Sequence, residues 1–77
     1  MSVTSVILPK LGLTMDAGRL IAWLKREGDR VEAGEILFEV ETDKSAMEVE
    51  SPVSGYVRRL LVSAGDEVPV AQVIALI

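Results

Sequence analysis

The 77-residue sequence contains neither cysteine nor histidine. The absence of cysteine excludes a disulfide framework and a thiolate metal site. The absence of histidine removes the commonest general base and the commonest metal ligand. The remaining carboxylates form no recognisable pair of base and nucleophile, so the sequence predicts no catalytic residue and no metal ligand. We therefore do not expect the chain to be an enzyme by itself.

Basic residues and long apolar runs are also scarce. The sequence has 8 Lys and Arg residues against 12 Asp and Glu residues, a formal net charge of −4, which disfavours nucleic acid as a partner. No apolar run approaches the roughly 20 residues of a membrane span, and the polar start does not resemble a signal peptide. We expect no membrane partner and a soluble, reducing compartment.

Apolar residues make up 49% of the chain, which is enough for one small core, and the length predicts a single domain over residues 1–77. Short β-branched segments alternate with Gly, Asp and Pro, a pattern typical of all-β sandwiches and barrels. The predicted strands are residues 3–8, 19–24, 36–42, 46–51, 56–62 and 73–77, with short segments at Val31 and Val68 and a loop over 12–18. Residues 19–27 could instead form a short helix, because their apolar residues keep helical spacing.

The sequence repeats itself at an offset of 37 residues (55 − 18). Identical pairs at this offset are Gly18/Gly55, Leu24/Leu61, Gly28/Gly65, Asp29/Asp66 and Val31/Val68. Two copies are too few for a solenoid. They predict instead two halves of one small barrel or sandwich, related by an approximate two-fold axis.

The run from Phe38 to Val49 predicts a β-hairpin around a four-residue turn, 42–45. In this register one face of the hairpin points inward and carries Phe38, Val40, Met47 and Val49. A slip of one residue would scatter these side chains over both faces. The predicted cross-strand pairs are Glu41 with Ala46, Val40 with Met47, Glu39 with Glu48, and Phe38 with Val49.

The same register places Glu39 opposite Glu48 on the outer face, with Glu41 and Glu50 nearby. Like charges directly opposed across a sheet destabilise it by up to about 1 kcal/mol. Two interpretations stay open. The residues form either an ordinary solvated acidic face or a surface presented to a basic partner.

Lys44 is one of the two central residues of the predicted turn, beside Asp43, whose side chain suits turn geometry. Most lysines at a hairpin tip only add solubility. Lys44, however, breaks the repeat, because the 37-residue offset places Ile7 opposite it. A lysine that departs from a duplicated scaffold at an accessible apex is a candidate attachment point for a covalent group.

The motif Glu41-Thr42-Asp43-Lys44-Ser45 resembles the lipoylation motif of lipoyl domains in the acyltransferase component of 2-oxo-acid dehydrogenase complexes. Ser45 departs from the family, which most often has alanine there. The segment Pro9 to Met15 is more similar to pyruvate- and acetoin-type complexes than to branched-chain or 2-oxoglutarate types. The resemblance covers the whole chain and includes residues 9–15, Gly18, Trp23, 27–31, Gly34, Glu35, Glu48, Ser51, Pro52 and Gly55.

The resemblance implies a flattened β-barrel, or barrel-sandwich hybrid, of two antiparallel sheets with quasi-two-fold symmetry. Lys44 would lie at one end and both termini at the other, an arrangement that the repeat also predicts. Lys44 would carry lipoate in amide linkage, flanked by Glu41, Asp43 and Ser45 of the motif. The implied role is that of an acyl and electron carrier, for which the cofactor supplies the chemistry.

The resemblance also implies a set of partners. These are a lipoate ligase or lipoyl-synthesis enzymes, a thiamine-dependent decarboxylase or acetoin dehydrogenase, an acyltransferase core, and dihydrolipoamide dehydrogenase. The parent protein would be a dihydrolipoamide acyltransferase of the bacterial cytoplasm, with the mitochondrial matrix as the alternative. The isolated domain would be a monomer.

In the family, the loop equivalent to residues 11–17 lies beside the lipoyl-lysine and helps to select the decarboxylase. The resemblance therefore implies partner-recognition roles for Leu11, Leu13, Thr14, Met15 and Asp16. Leu13 and Met15 are apolar residues in a glycine-flanked loop. They either form an exposed contact patch or fold back onto the core.

Two other domains of the same fold are the alternatives. A biotinyl carrier domain usually places its lysine between two methionines, as Ala-Met-Lys-Met, whereas here Ala46-Met47 is followed by Glu48 and the lysine stands before Ser45. An unmodified structural hybrid domain keeps the repeat but lacks an apex lysine, whereas Lys44 is present.

Overall fold

Antiparallel strands account for the regular structure of this chain. The computed structural model describes residues 3–12, 15–42 and 45–77. Within these ranges the strands are β1 (Ser5–Ile7), β2 (Ala17–Trp23), β3 (Arg30–Val31), β4 (Ile36–Glu41), β5 (Ala46–Glu50), β6 (Gly55–Tyr56), β7 (Arg59–Leu60), β8 (Glu67–Pro69) and β9 (Val73–Leu76). The predicted all-β class is confirmed. The alternative helix over residues 19–27 is wrong, because β2 pairs with β4 on one side and β8 on the other. The described residues contain no helix long and apolar enough to cross a membrane.

The strands form three sheets, and the chain passes from one to another at a bend. One sheet has the order β5-β4-β2-β8, a second has the order β1-β9-β7, and β3 pairs with β6. The prediction of one strand over residues 56–62 is wrong, because β6 and β7 divide that segment. The backbone of Val57 exchanges hydrogen bonds with Gly28 and Asp29, whereas the N–H of Arg58 donates to the carbonyl of Leu76 at 2.7 Å. The chain changes partner between Val57 and Arg58 and therefore bends there.

Backbone hydrogen bonds repeat across the molecule at the predicted offset. The N–H of Gly28 donates to the carbonyl of Val57 at 2.7 Å, and the N–H of Gly65 donates to the carbonyl of Leu20 at 2.7 Å. The two donors are 37 residues apart (65 − 28), and so are the two acceptors (57 − 20). In each bond the donor belongs to one copy of the repeat and the acceptor to the other. The pairing of β2 with β4 is likewise repeated by β7 with β9. The predicted two-fold relation is confirmed.

The first strand obeys the same symmetry at a different offset. The N–H of Ser51 donates to the carbonyl of Glu35 at 2.8 Å, and the N–H of Leu8 donates to that of Gln72 at 3.0 Å. The acceptors are 37 residues apart (72 − 35), but the donors are 43 apart (51 − 8). Counted between symmetry-related residues, the connection from Leu8 to Gly18 is therefore six residues longer (43 − 37) than its counterpart from Ser51 to Gly55.

This difference corrects one prediction about the repeat. Ile7 pairs with Val73 in the same way that Glu50 pairs with Ile36. The counterpart of Ile7 is therefore Glu50, and the expectation that Ile7 lies opposite Lys44 is wrong. The ungapped alignment failed because the longer connection precedes β2. Residues before it are therefore related to their counterparts by an offset of 43 and not 37.

Strand residues, with a few from the connections, form one core. The buried ring of Phe38 contacts the partly buried Trp23 at 5.4 Å between ring centroids, and the indole N–H of Trp23 donates to the carbonyl of Val62 at 2.9 Å. Each fully buried large apolar side chain contributes about 1.5–3 kcal/mol. The buried residues are Val6, Leu8, Met15, Leu20, Val31, Leu37, Phe38, Val40, Val57, Val68, Ile74, Ala75 and Ile77.

The chain ends lie together. Thr4 and Ile77 exchange two backbone hydrogen bonds of 2.7 and 2.9 Å. By the symmetry this pair corresponds to Met47 and Val40, which are Cα partners next to the turn of the β4–β5 hairpin. The termini and that turn therefore occupy symmetry-related ends of an elongated molecule, whose extents are 36 × 20 × 19 Å.

Four tight turns of the scaffold share one backbone form. They are residues 26–29, 32–35, 63–66 and 69–72, and in each the fourth N–H donates to the first carbonyl at 3.0–3.2 Å. The third residues are Gly28, Gly34, Gly65 and Ala71, with φ between 76° and 96°. In the first three turns a carboxylate of the fourth residue also accepts from the first N–H, at 2.7–2.9 Å. The bond from the N–H of Glu32, with help from Lys25, holds the pKa of the Glu35 carboxyl below its ordinary value.

Ala71 adopts the left-handed conformation that glycine adopts at its symmetry mate, Gly34. A left-handed backbone costs a residue with a Cβ about 1 kcal/mol, so Ala71→Gly is expected to stabilise the domain. The greater freedom of glycine in the unfolded chain offsets part of the gain, which should stay below about 1 kcal/mol. The reciprocal variant, Gly34→Ala, should lose about 1 kcal/mol, although its new Cβ meets no atom within 4 Å. Urea unfolding measures both, and a clear loss of stability in Ala71→Gly would contradict the equivalence of the two turns.

Candidate functional site

The β4–β5 hairpin pairs in the predicted register. Its Cα partners are Glu41 with Ala46, Val40 with Met47, Glu39 with Glu48, and Phe38 with Val49, so the four predicted pairs are confirmed. The register brings Thr42 and Ser45 together at the end of the hairpin. Asp43 and Lys44, which come between them in sequence, lie outside the described residues.

The inner face of the hairpin is buried on β4 but only in part on β5. Phe38 and Val40 are fully buried, and Val49 is partly buried against the core. Met47 is 39% exposed, so the expectation that it points into the core is wrong. Its position explains the exposure, because β5 is an edge strand and Met47 lies at the turn end of it.

Thr42 fastens the turn with its backbone and its side chain. The N–H of Thr42 donates to the carbonyl of Ser45 at 2.8 Å. The Thr42 hydroxyl donates to the same carbonyl at 3.0 Å and accepts from the N–H of Ser45 at 3.2 Å. Three hydrogen bonds therefore join the two residues that flank Asp43 and Lys44. Thr42 was not among the predicted site residues, although a hydroxyl that bonds to nearby backbone is a known device of turns.

The outer face of the hairpin carries the predicted pair of like charges. Glu39 is half-buried and Glu48 is exposed, and their Cα atoms are direct partners across the ladder. By the symmetry the counterparts of Glu39, Glu48 and Glu50 are Leu76, Ser5 and Ile7. The negative charge therefore belongs to the hairpin and not to the duplicated scaffold. The ion pairs found between described residues lie elsewhere, at Lys25–Glu35, Arg30–Glu32 and Arg59–Glu27.

The predicted recognition residues divide between core and surface. Met15 is buried, and its sulfur accepts a hydrogen bond from the N–H of Leu11, which is half-buried, at 3.3 Å. Of the two alternatives, Met15 therefore folds back onto the core. Asp16 is exposed. Leu13 and Thr14 lie outside the described residues.

The β1–β2 connection ends beside the hairpin turn. It leads into β2, where Arg19 is the Cα partner of Glu41 at the end of β4. The carbonyl of Asp16 accepts from the N–H of Val70 at 2.9 Å, which ties the connection to the turn after β8. This is the connection that is six residues longer than its symmetry counterpart. The two departures from the symmetry, the longer connection and the acidic hairpin, therefore meet at one end of the molecule.

The described flanks of the turn suit a covalently carried group. Glu41, Ser45 and Ala46 are exposed, and Thr42 is half-buried, so the described residues on both sides of the turn face solvent. Within the described ranges, no group of three or more acidic side chains could hold a metal ion. Attachment through an amide needs no enclosing pocket, so these residues fit a long acid such as lipoate or biotin joined to Lys44.

A duplicated all-β barrel with a lysine in a fastened hairpin turn defines a carrier domain of the biotin and lipoyl class. The family Biotin_lipoyl, described as "Biotin-requiring enzyme", matches residues 4–77, and the chain belongs to this family. The chain is also similar in structure to the lipoyl domain of the 2-oxoglutarate dehydrogenase complex from Azotobacter vinelandii. The TM-score is 0.75 at 25% identity, over 92% of this chain and 90% of that one. The predicted barrel-sandwich fold is confirmed.

Two relatives of the chain are named as components of pyruvate and acetoin systems. The chain is 47% identical over 62 residues, 80% of its length, to the pyruvate dehydrogenase E1 component subunit beta of Rhizobium meliloti, of which it covers 14%. It is 40% identical over 75 residues, 97% of its length, to the dihydrolipoyllysine-residue acetyltransferase component of the acetoin cleaving system of Pseudomonas putida, of which it covers 20%. The chain thus spans a fifth or less of these relatives. The predicted resemblance to pyruvate- and acetoin-type lipoyl domains is confirmed.

The buried position of Met15 can be tested against Met47. Met15→Ala removes a side chain that is only 9% exposed and leaves a cavity next to Gly18, so it is expected to lower the free energy of unfolding by about 2–4 kcal/mol. Met47→Ala, at a residue 39% exposed, is the matched control and should lose less than about 1 kcal/mol. Chemical denaturation measures both. Equal, small losses would contradict the packing of Met15 in the core.

Proposed function

We propose that this chain is a lipoyl carrier domain in which Lys44 holds lipoate through an amide bond. The observation that carries the proposal is the place of Lys44 in the chain. It stands between Thr42 and Ser45, which close the hairpin at the end where the scaffold departs from its symmetry. When bound, lipoate supplies a dithiolane that accepts acyl groups and electrons, and the protein supplies attachment and orientation. Amide formation also removes the charge of the lysine.

Lipoate is favoured over biotin by the residues around the lysine. Lys44 is followed by Ser45, whereas biotinyl domains usually place methionine on both sides of the lysine. The acetoin-system relative is named as a dihydrolipoyllysine-residue acetyltransferase, which is consistent with lipoate. An unmodified structural domain is disfavoured, because such a domain lacks an apex lysine, whereas this sequence has Lys44 between Thr42 and Ser45.

We propose that the domain serves a pyruvate- or acetoin-type dehydrogenase complex. Its partners would be a lipoate ligase or lipoyl-synthesis enzymes, a thiamine-dependent decarboxylase or acetoin dehydrogenase, an acyltransferase core, and dihydrolipoamide dehydrogenase. The parent protein would be a dihydrolipoamide acyltransferase of the bacterial cytoplasm, a role supported by the name of the Pseudomonas putida relative. The isolated domain would act as a monomer, delivered to each active site by a tether that keeps its local concentration high.

Lys44→Arg tests the attachment site. Wild-type domain incubated with lipoate, ATP and a lipoate ligase is expected to gain the mass of one lipoyl group, and Lys44→Arg should gain none, because arginine offers no amine that can be acylated at neutral pH. Lys10→Arg, at an exposed lysine outside the hairpin, is the matched control and should be modified like the wild type. Intact-mass spectrometry reads all three. A wild type that gains no mass, or a Lys44→Arg variant that gains as much, would refute the carrier function.

The β1–β2 connection is proposed to select the decarboxylase. Support comes from its extra length and from Arg19, which places the start of β2 beside the end of β4. The side chain of Met15 is buried in the core. The proposal therefore concerns the other predicted recognition residues, which are Leu11, Leu13, Thr14 and Asp16.

Leu13→Ala tests this recognition role. The variant is expected to be lipoylated at the wild-type rate but to be reductively acylated by the cognate decarboxylase several-fold more slowly, because a loop contact serves only that partner. Leu61→Ala, at a leucine 45% exposed in the other half of the molecule, is the matched control and should keep wild-type kinetics in both assays. Unchanged acylation of the Leu13→Ala variant would remove the connection from partner selection.

A further inference from the structure

The turn that carries Lys44 is fastened differently from the four tight turns of the scaffold. In those turns the third residue is Gly or Ala with a left-handed backbone, and three of them use a carboxylate at the fourth position as the clamp. In residues 42–45 the third residue is Lys44 and the fourth is Ser45. The side-chain clamp comes instead from the first residue, Thr42.

The Thr42 hydroxyl binds both backbone groups of the residue that follows Lys44. It donates to the carbonyl of Ser45 at 3.0 Å and accepts from its N–H at 3.2 Å. Both distances fall in the range of real hydrogen bonds, and one hydroxyl can donate and accept at once. The clamp therefore fixes Thr42 and Ser45 relative to each other.

Exposure alone does not make a lysine a target for enzymatic acylation. Lys10 is exposed, and Lys25 forms an ion pair with Glu35 at 3.4 Å. An enzyme that acylates one lysine must therefore recognise the setting of that amine. The setting that the described residues supply is the closed end of the hairpin.

On the basis of the proposed lipoyl function, we propose that Thr42 is a positioning residue for the modification of Lys44. Its hydroxyl holds the hairpin end in the form that the lipoate-attaching enzyme recognises. In that reaction an amide bond forms between the lipoate carboxyl carbon and Nζ of Lys44, and ATP is cleaved to pyrophosphate and AMP. The carboxyl oxygen leaves on AMP, and the ammonium group gives up two protons. Thr42 takes no part in these bond changes and acts through the backbone.

The test uses three variants of the domain. Thr42→Val keeps the β-branched shape and removes both hydroxyl bonds, whereas Thr42→Ser keeps the hydroxyl. Ser54→Ala is the matched control, because the Ser54 hydroxyl also accepts from a backbone N–H, that of Ala33, at 2.9 Å, but in another connection of the molecule. Rates are measured at a temperature at which circular dichroism shows every variant to be folded.

The rates of enzymatic lipoylation and of chemical acetylation together distinguish positioning by Thr42 from simple access to the amine of Lys44. With lipoate, ATP and a lipoate ligase, the kcat/KM of Thr42→Val is expected to fall about fivefold to tenfold, the size expected for one or two neutral hydrogen bonds. Thr42→Ser and Ser54→Ala should stay within about twofold of the wild type, since both keep the Thr42 clamp or its equivalent. Acetylation of Lys44 by acetic anhydride, followed by peptide mass mapping, should be equal in all four proteins, because a small reagent does not recognise the turn.

The outcomes are distinct. A Thr42→Val variant that is lipoylated at the wild-type rate overturns the proposal. So does a Thr42→Ser variant as slow as Thr42→Val, or chemical acetylation that falls in parallel with the enzymatic rate. A wild-type domain that accepts no lipoate at all refutes the carrier function itself. That failure is distinguishable from a failure of the Thr42 proposal, because the wild type would then be acetylated chemically at Lys44 but would gain no more lipoyl mass than Lys44→Arg.

Discussion

The structure depends on a reciprocal exchange of backbone hydrogen bonds, in which a glycine turn of each half binds one residue of the other half. The turn at Gly28 and Asp29 binds the backbone of Val57, and the turn at Gly65 and Asp66 binds that of Leu20 in the same way. Each half of the chain thereby closes the other, so neither half has a complete set of partners alone. A domain of 77 residues has little core to spare, and this exchange lets it satisfy its backbone groups while burying one shared core.

The symmetry of this exchange shows where the chain has been adapted for a purpose. Turns, core positions and ladder pairs repeat between the halves, but the acidic outer face around Glu39 and Glu48 has an uncharged counterpart, and the β1–β2 connection has six extra residues. Both departures lie at the end that holds the Lys44 turn. The symmetry-related end, where Thr4 pairs with Ile77, has neither the acidic face nor the longer connection. A carrier needs such a division, because its frame must stay rigid while several enzymes recognise one end.

Several features were predictable from the sequence because they follow from local rules. The hairpin register follows from period-two alternation, since any slip would have exposed Phe38 and Val40. The duplicated turns follow from Gly-Asp pairs at a fixed spacing. Other features escaped prediction. Thr42 was predicted only as the first residue of the turn, and the bonds of its hydroxyl to Ser45 were not, because a side-chain clamp of this kind has no periodic signature.

The sequence by itself determined the all-β class, the two-fold duplication, the pairing of β4 with β5 and the candidate lysine, because each is encoded in the spacing of neighbouring residues. Only the tertiary structure decided that Met47 is exposed while Met15 is buried, that the chain bends between Val57 and Arg58, and that Ile7 is the counterpart of Glu50. These depend on which distant strand covers a residue and on how long a connection is. Burial and partner choice are properties of contacts between segments far apart in the chain, and no local pattern contains them.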